Sequence, residues 1–368
     1  MRVWLYKVHR WIGLSIGSLL LLQGCTGTMI SFRNELNRAL HFDALHVTPG
    51  REAHSAQSLL DLVRERHPQL QIRSADLPVR AGQTWLFRLE SVDGRAMRYV
   101  AVDPFRCKVT RDAMLAAWPV LWSLEFHKTL LLGQKAKIVI GIEALCLLAL
   151  AIIGPMLWWP GRRNLRRGFK MKLNGGFNRG VRDLHRVGGV VFALLLMVTS
   201  ITGTFIIFRS TFETVVSRFA PLELRPWPTV EKPADHELLP LDAVLDAARV
   251  RHGDKPLVAL RFPFADSSVV ITYAVPANAN RPRATDQTWI NGYTAGILAT
   301  HDAAALSPAT EIFEWIVPIH SGQAFGISGR IAFLATGLAL ATLVASGFLQ
   351  WNSRRRAQAK PTADPPGR

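Results

Sequence analysis

Cysteine is scarce: the 368-residue chain has three, none in C-x-x-C spacing. That excludes a disulfide framework and a thiolate zinc or iron–sulfur site, and without C-x-x-C-H no haem can be attached covalently. Charge is scarce as well. Charged residues make up 19% and apolar ones 49%, where a soluble globular chain carries about 25% charged. No Walker A, H-E-x-x-H or G-x-S-x-G motif occurs, and no G-x-G-x-x-G follows a strand. Gly175, Gly176 and Gly180 lie in a basic loop. A nicotinamide or flavin would therefore belong to a partner or to an unrecognised site.

The missing charge is missing in four places. Runs 11–32, 187–208 and 331–351 hold none, and run 138–160 holds only Glu143. Each has the ~20 residues that cross ~30 Å of hydrocarbon at ~1.5 Å per residue, so four transmembrane helices are expected. The basic residues orient them. Segment 161–182 holds eight Lys/Arg and no acid. Arg2, Lys7 and Arg10 precede the first span, and Arg354, Arg355, Arg356, Lys360 and Arg368 follow the last. Segments 33–127 (thirteen basic, eleven acidic) and 209–330 (eleven basic, thirteen acidic) are nearly balanced. Short basic loops stay in the cytoplasm. The expected order is a cytoplasmic N-terminus (1–10), a first span (11–32), a periplasmic domain with interfacial segment (33–137) and a second span (138–160). A basic cytoplasmic loop (161–186), a third span (187–208), a second periplasmic domain (209–330), a fourth span (331–351) and a cytoplasmic tail (352–368) complete it. The net charge of +17 is thus a topology signal, and no nucleic-acid partner is expected. Lipid is the expected surrounding. Leu22-Gln23-Gly24-Cys25 imitates a lipoprotein cleavage box, but the uncharged run continues to Phe32, and Cys25 reads as a buried apolar residue.

The chain also repeats itself. His9-Arg10-Trp11-Ile12-Gly13 matches His185-Arg186-Val187-Gly188-Gly189 at an offset of 176, as do Thr26-Gly27-Thr28 and Thr202-Gly203-Thr204. At an offset of 193, His127 meets His320, Gly154 meets Gly347 and Trp158 meets Trp351. Between the spans, a helical pattern over 55–66 precedes strand-like runs at 70–77, 84–89, 97–102 and 107–110, with a turn at Asp93-Gly94. A helix over 241–251 precedes runs at 257–262, 268–273, 288–290 and 296–300. Arg66-His67 aligns with Arg251-His252 at an offset of 185. The expected fold class is membrane α+β: four transmembrane helices in two parallel repeats, each with a small helix-plus-strands domain. The Pro-rich stretch 221–240 reads as a linker.

Of eleven histidines, four fall at span ends in repeat-matched positions. A parallel repeat sets His9 opposite His185 at one membrane face and His127 opposite His320 at the other. Facing neutral imidazoles are an axial pair for a b-type haem iron, and Gly13, Gly17, Gly188, Gly189 and Ala193 would let a flat ring approach. Arg10 and Arg186 stand where guanidiniums can pair with haem propionates. On spacing alone, headgroup anchoring beside an aromatic belt explains the same residues. His67 and His252 end soluble helices, where a cation suits the dipole. His41, His46, His54, His236 and His301 have no repeat partner and read as loop residues. Glu143 could meet Lys137 or serve a proton path.

The His-Arg-x-x-Gly openings, the two T-G-T motifs, the helix-then-strands segments and the Trp158-Trp159-Pro160 exit resemble the PepSY-associated transmembrane family. That resemblance covers the chain apart from its tail. It implies an iron-regulated bacterial inner-membrane protein, and among members of the family are di-haem ferric-siderophore reductases. For this chain it implies two haem b groups, each held by two histidines (His9 with His185, His127 with His320). It further implies a ferric siderophore as substrate and a cytoplasmic or quinol electron donor. Two other readings stay open: a periplasmic binding or regulatory module anchored by its spans, and an iron–siderophore permease. Against the permease, the spans lack the broken, charge-bearing helices of a transport site.

Overall fold

A computed structural model describes residues 1–172, 175–223, 225–232, 237–263, 268–276 and 281–358. His236, Lys360, Arg368 and part of the stretch 221–240 lie outside them. The helices are α1 (Arg2–Ile30), α2 (Arg33–Leu40), α3 (Phe42–Leu45), α4 (Ala56–Arg66), α5 (Pro119–Thr129), α6 (Ala136–Trp158), α7 (Leu165–Gly168), α8 (Phe177–Ile207), α9 (Arg209–Val216), α10 (Leu241–His252), α11 (Pro308–His320) and α12 (Gly326–Gln358). The strands are β1 (Gln71–Asp76), β2 (Trp85–Glu90), β3 (Met97–Asp103), β4 (Lys108–Met114), β5 (Leu257–Arg261), β6 (Val269–Ala274), β7 (Asp286–Asn291) and β8 (Ile297–His301). The chain divides into two compact units: 1–31, 123–212 and 319–368 in one, 32–122 and 213–318 in the other.

The first unit is built on α1, α6, α8 and α12, four helices long and apolar enough to cross a membrane. With no water in a bilayer, a helix satisfies every backbone group internally. Two of them run well past their charge-free stretches. α1 starts at Arg2 and α8 at Phe177, nine and ten residues before the runs at 11 and 187, so His9 and His185 sit on continuous helix. α1 packs on α6 and α12, and α8 packs on the same two; α1 and α8 face each other diagonally. Each helix gives one leucine to a central layer: Leu20, Leu147, Leu196 and Leu340, all buried. α1 and α12 meet backbone to backbone, since a Cβ on Gly24 would lie 2.9 Å from the Gly337 carbonyl oxygen. Cys25, expected inside, is exposed. Gln23, Gly24 and Thr26 take the inward face, and the next position lies ~100° away around the helix.

The second unit corrects an expectation of two separate small domains. All eight strands form one antiparallel sheet in the order β4-β3-β2-β1-β5-β6-β7-β8. Pairing β1 with β5 removes two bare strand edges at once. The central pair is Ala75 with Leu260, residues 185 apart. Ala75 then pairs with Phe87 and Leu260 with Thr272, again 185 apart. Strand alternation sends Ala75, Phe87, Leu89, Val100, Leu260 and Val270 to one face, where Leu59, Leu60 and Val63 of α4 and Val244 and Leu245 of α10 complete a single core. The two helices lock each other's N-termini. The Asp242 carboxylate accepts from the Ala56 and Gln57 amides (2.8 and 3.0 Å), and Gln57 Oε1 accepts from the Leu241 amide at 2.7 Å.

Several histidines differ from their expected loop setting. His301 lies on β8 and is buried, and His41 packs its ring edge-on against Trp118 at 4.5 Å. His67 and His252 stand at the C-terminal ends of α4 and α10 as expected, where they also bond Asp112 at 2.9 Å and Thr288 at 3.0 Å. The strand expected over 107–110 runs Lys108–Met114. Part of the 221–240 stretch is structured: Glu223 binds Ser307 and Thr310, and Arg225 pairs with Glu314 at 3.1 Å.

Candidate functional site: two histidine pairs in the helical unit

The four repeat-matched histidines form two pairs. His9 of α1 and His185 of α8 have ring centroids 6.3 Å apart, and His127 of α5 and His320 of α11 have theirs 6.4 Å apart. Along α1, His9 and the Gly27 that packs on His127 are 18 residues apart, ~27 Å of helix. The same 18 residues separate His185 from Gly203 on α8. The two pairs are therefore distinct sites at opposite ends of the bundle, with the leucine layer between them.

Each ring lies against a glycine. A Cβ would come within 3.6 Å of the His9 Cε1 at Gly154, 3.3 Å of His185 at Gly347, 3.2 Å of His127 at Gly27 and 3.3 Å of His320 at Gly203. Side chains larger than hydrogen would crowd three of these rings. Gly13, by contrast, faces open space within 4 Å.

Hydrogen bonds set the tautomers. The Thr202 hydroxyl has one proton, which it donates to the Val198 carbonyl at 2.6 Å; its lone pair is left to accept from His320 Nδ1–H at 2.9 Å. Thr26 repeats the arrangement, donating to Leu22 O at 2.8 Å and accepting from His127 Nδ1–H at 3.2 Å. His185 Nδ1 lies 2.9 Å from the Leu343 carbonyl, which can only accept. In these three rings the proton sits on Nδ1, and Nε2 presents a bare lone pair. His9 Nδ1 is buried without a partner. A second residue that fixes the tautomer and orientation of a ligating imidazole is the usual support of a metal site.

The spacing fits a single metal ion between each pair. Nitrogens ~2 Å from a shared ion, in five-membered rings of ~1.35 Å bonds, put opposed centroids ~6.3 Å apart. No group of three or more His, Cys, Asp or Glu that could hold a metal occurs among the described residues. Two protein ligands are too few for a structural zinc site but suffice for haem iron, whose porphyrin supplies the equatorial donors. The donor sets and the glycine recesses thus fit haem.

The flanking arginines stand apart from the rings they follow. Arg10 stacks over Trp11 at 5.2 Å and Tyr6 at 5.8 Å. Arg186 donates to Asp183 at 3.1 Å and to the Lys170 carbonyl at 2.8 Å. Glu143 does not meet Lys137, which is exposed; its side chain is buried beside Gln23 and makes no hydrogen bond of ordinary geometry among the described residues. Gln23, on α1, donates to the His127 carbonyl at 3.3 Å.

Sequence reading found the T-G-T motif and the Gly154–Gly347 match without their roles. The roles follow once each motif is placed beside a histidine from another helix. Gln23 carried no repeat signal, because Thr199 occupies the matching position.

A family model described as the PepSY-associated TM region matches residues 6–354. No curated protein matches the chain.

Proposed function

Because the chain belongs to the PepSY-associated transmembrane family, whose model spans all but its ends, we propose that it is an inner-membrane electron-transfer protein. In this reading it holds two non-covalent haem b groups and reduces a ferric siderophore in the periplasm. A cytoplasmic or quinol donor supplies the electrons. The observation that carries the reading is the pair of matched histidine sites, with centroids at 6.3 and 6.4 Å and each ring seated on a glycine.

Haem so held supplies reversible one-electron transfer at each end of the bundle. The chain's own residues supply the rest. Thr26, Thr202 and the Leu343 carbonyl hold Nδ1–H and aim Nε2 inward. Leu20, Leu147, Leu196 and Leu340 put an apolar layer across the middle of the bundle, which disfavours a wetted route for ions there. That layer argues against the permease reading. Converting Fe(III) to Fe(II) gives a softer ion, held less well by hard oxygen ligands, so the chelate releases it.

The sided arrangement follows from charge. The basic loop and termini stay cytoplasmic, which puts His9 and His185 inside and His127 and His320 outside. Support for two copies of one unit, related by an axis along the membrane normal, comes from three matches. Leu20 and Leu196 differ by 176, Leu147 and Leu340 by 193, and the central strand pairs by 185. Such duplication makes both haem sites two-fold at once.

The test is redox spectroscopy on purified protein expressed with ample haem. The sample should be red, its Soret band should shift on dithionite, and a ferric siderophore added afterwards should restore the oxidised spectrum. A colourless preparation, or a reduced one that ferric chelates leave reduced, would overturn the proposal.

A further inference from the structure

A recess of about 190 Å³ opens between α8 and α12, at the end of the bundle that holds His9 and His185. α8 lines it with Asn178, Val181 and Arg182, and α12 with Gln350, Ser353 and Arg354. No acid is among the lining residues. Two guanidiniums and three neutral polar side chains thus converge on one cavity.

Helix periodicity ties that cavity to the histidine pair. Asn178, Val181 and Arg182 precede His185 by seven, four and three residues, which puts them on the face of α8 that carries the imidazole. On α12, Leu343 O and Ser346 hold His185 Nδ1 at 2.9 and 3.1 Å, and Gly347 packs on the ring. Gln350 and Arg354 follow Gly347 by three and seven residues, and Ser353 follows Ser346 by seven. The same face of α12 therefore continues into the recess, which begins about one helical turn, ~5 Å, beyond His185. The other histidine's helix reaches it too. Arg354 donates to the Tyr6 hydroxyl, and its guanidinium lies over the Tyr6 ring at 5.6 Å. Tyr6 precedes His9 by three residues, as Arg182 precedes His185. That hydrogen bond uses one of the five N–H donors of Arg354.

Duplication does not account for this lining. At the repeat-matched positions Tyr6 stands for Arg182, and Leu157, Pro160 and Gly161 stand for Gln350, Ser353 and Arg354. The polar groups are particular to the α8–α12 groove. Meanwhile Arg10 and Arg186, which adjoin the rings in sequence, are engaged elsewhere, on Trp11 and Tyr6 and on Asp183 and the Lys170 carbonyl. A haem between His9 and His185 brings two carboxylates on one edge of its ring, and carboxylates are costly to bury in an apolar bundle. The recess offers them cations and water.

We propose that Arg182 and Arg354, with Asn178, Gln350 and Ser353 around them, bind the propionates of the haem held by His9 and His185. Planar guanidiniums suit the paired oxygens of carboxylates. The inference rests on the haem reading above and fixes which edge of the ring faces the end of the bundle.

Haemin dimethyl ester tests this, since it keeps the iron and the ring but carries no carboxylate charge. Titrate haemin and the ester, followed at the Soret band, into full-length His320→Ala protein, which leaves this one site, in nanodiscs of zwitterionic lipid. Haemin should bind about tenfold more tightly than the ester, as expected for charge-assisted contacts. Adding Arg182→Gln with Arg354→Gln should weaken haemin about tenfold and leave the ester unchanged, so that the preference disappears. Arg182→Lys with Arg354→Lys should keep most of the preference, and Arg356→Gln, an exposed charge outside the recess, should change nothing. Haemin affinity unchanged in the double-Gln variant, or an equal loss for haemin and ester, overturns the proposal. A preference that anionic lipid abolishes would also overturn it, by assigning the arginines to a lipid phosphate. If both porphyrins bind equally while the arginines are intact, the haem reading stands and the propionate site falls. If neither binds, the haem reading fails and this inference with it. Discrimination as expected, with ferric chelates never reduced, ends the reductase reading and leaves the site standing.

Discussion

Gly154 and Gly347 flank the same histidine pair, yet an added methyl meets different spaces on the two sides. Alanine at Gly347 puts its Cβ 3.3 Å from His185 Cε1, closer than carbon–carbon contact, whereas at Gly154 the nearest atom, His9 Cε1, is 3.6 Å away. His185 cannot retreat freely, because Leu343 O and Ser346 hold its Nδ1 at 2.9 and 3.1 Å. Overpacking of this kind costs ~1–3 kcal/mol, and ~1.4 kcal/mol is a tenfold change in affinity. The helix-propensity gain of ~1 kcal/mol for Gly→Ala is common to both positions and cancels in the comparison. In a His320→Ala background, which leaves one site, haemin titration followed at the Soret band should therefore show about tenfold weaker binding for Gly347→Ala. Gly154→Ala should stay within about twofold, the ~0.5 kcal/mol of an uncrowded substitution. Equal losses, or a larger loss at Gly154, would refute the claim that the glycines seat the rings.

Thr202→Val keeps shape and removes the acceptor for His320 Nδ1–H; outer-haem affinity should fall by about tenfold, ~1 kcal/mol or slightly more, with the inner haem's spectrum unchanged. Asp112→Asn should lower the thermal stability of the sheet-bearing unit by about 2 kcal/mol, since Arg66, His67 and Arg98 all bond its carboxylate. Burial tends to raise the Asp112 pKa, but those three bonds prevail and hold it below the usual value. Its stabilisation is thus complete above the unfolded carboxyl pKa of ~3.9 and is lost as pH falls through the lower folded value. Melting curves between pH 2 and pH 6 should show wild type and variant converging only at the acid end; a constant gap would count against it. For topology, alkaline phosphatase fused after Gly82 should be active and after Arg167 inactive, and the reverse would move both histidine pairs to the wrong sides.

Much of this was legible before any coordinates. Four apolar runs, three without charge and one with Glu143 alone, give the spans because a bilayer leaves a helix no other way to satisfy its backbone. The paired histidines were legible because duplication put the same residue at matching helix ends. What stayed hidden depended on contacts between distant segments. The joining of β1 to β5 is an edge-to-edge pairing that neither strand announces, since Ala75 and Leu260 look like ordinary alternating residues. Thr26 reads as part of a small-residue motif until α5 brings His127 to 3.2 Å. Cys25 faces outward because the neighbouring Gly24 is needed against Gly337, a constraint set by α12.

The most direct test of the central claim is haem stoichiometry. Quantify extractable haem b per chain in wild type, His185→Ala and His320→Ala, each purified after haem-replete expression. The account predicts two haems in wild type and one in each variant, the survivor being the haem of the intact pair. Haem that resists acid extraction, a wild-type value well below one, or two haems retained in either variant would contradict it.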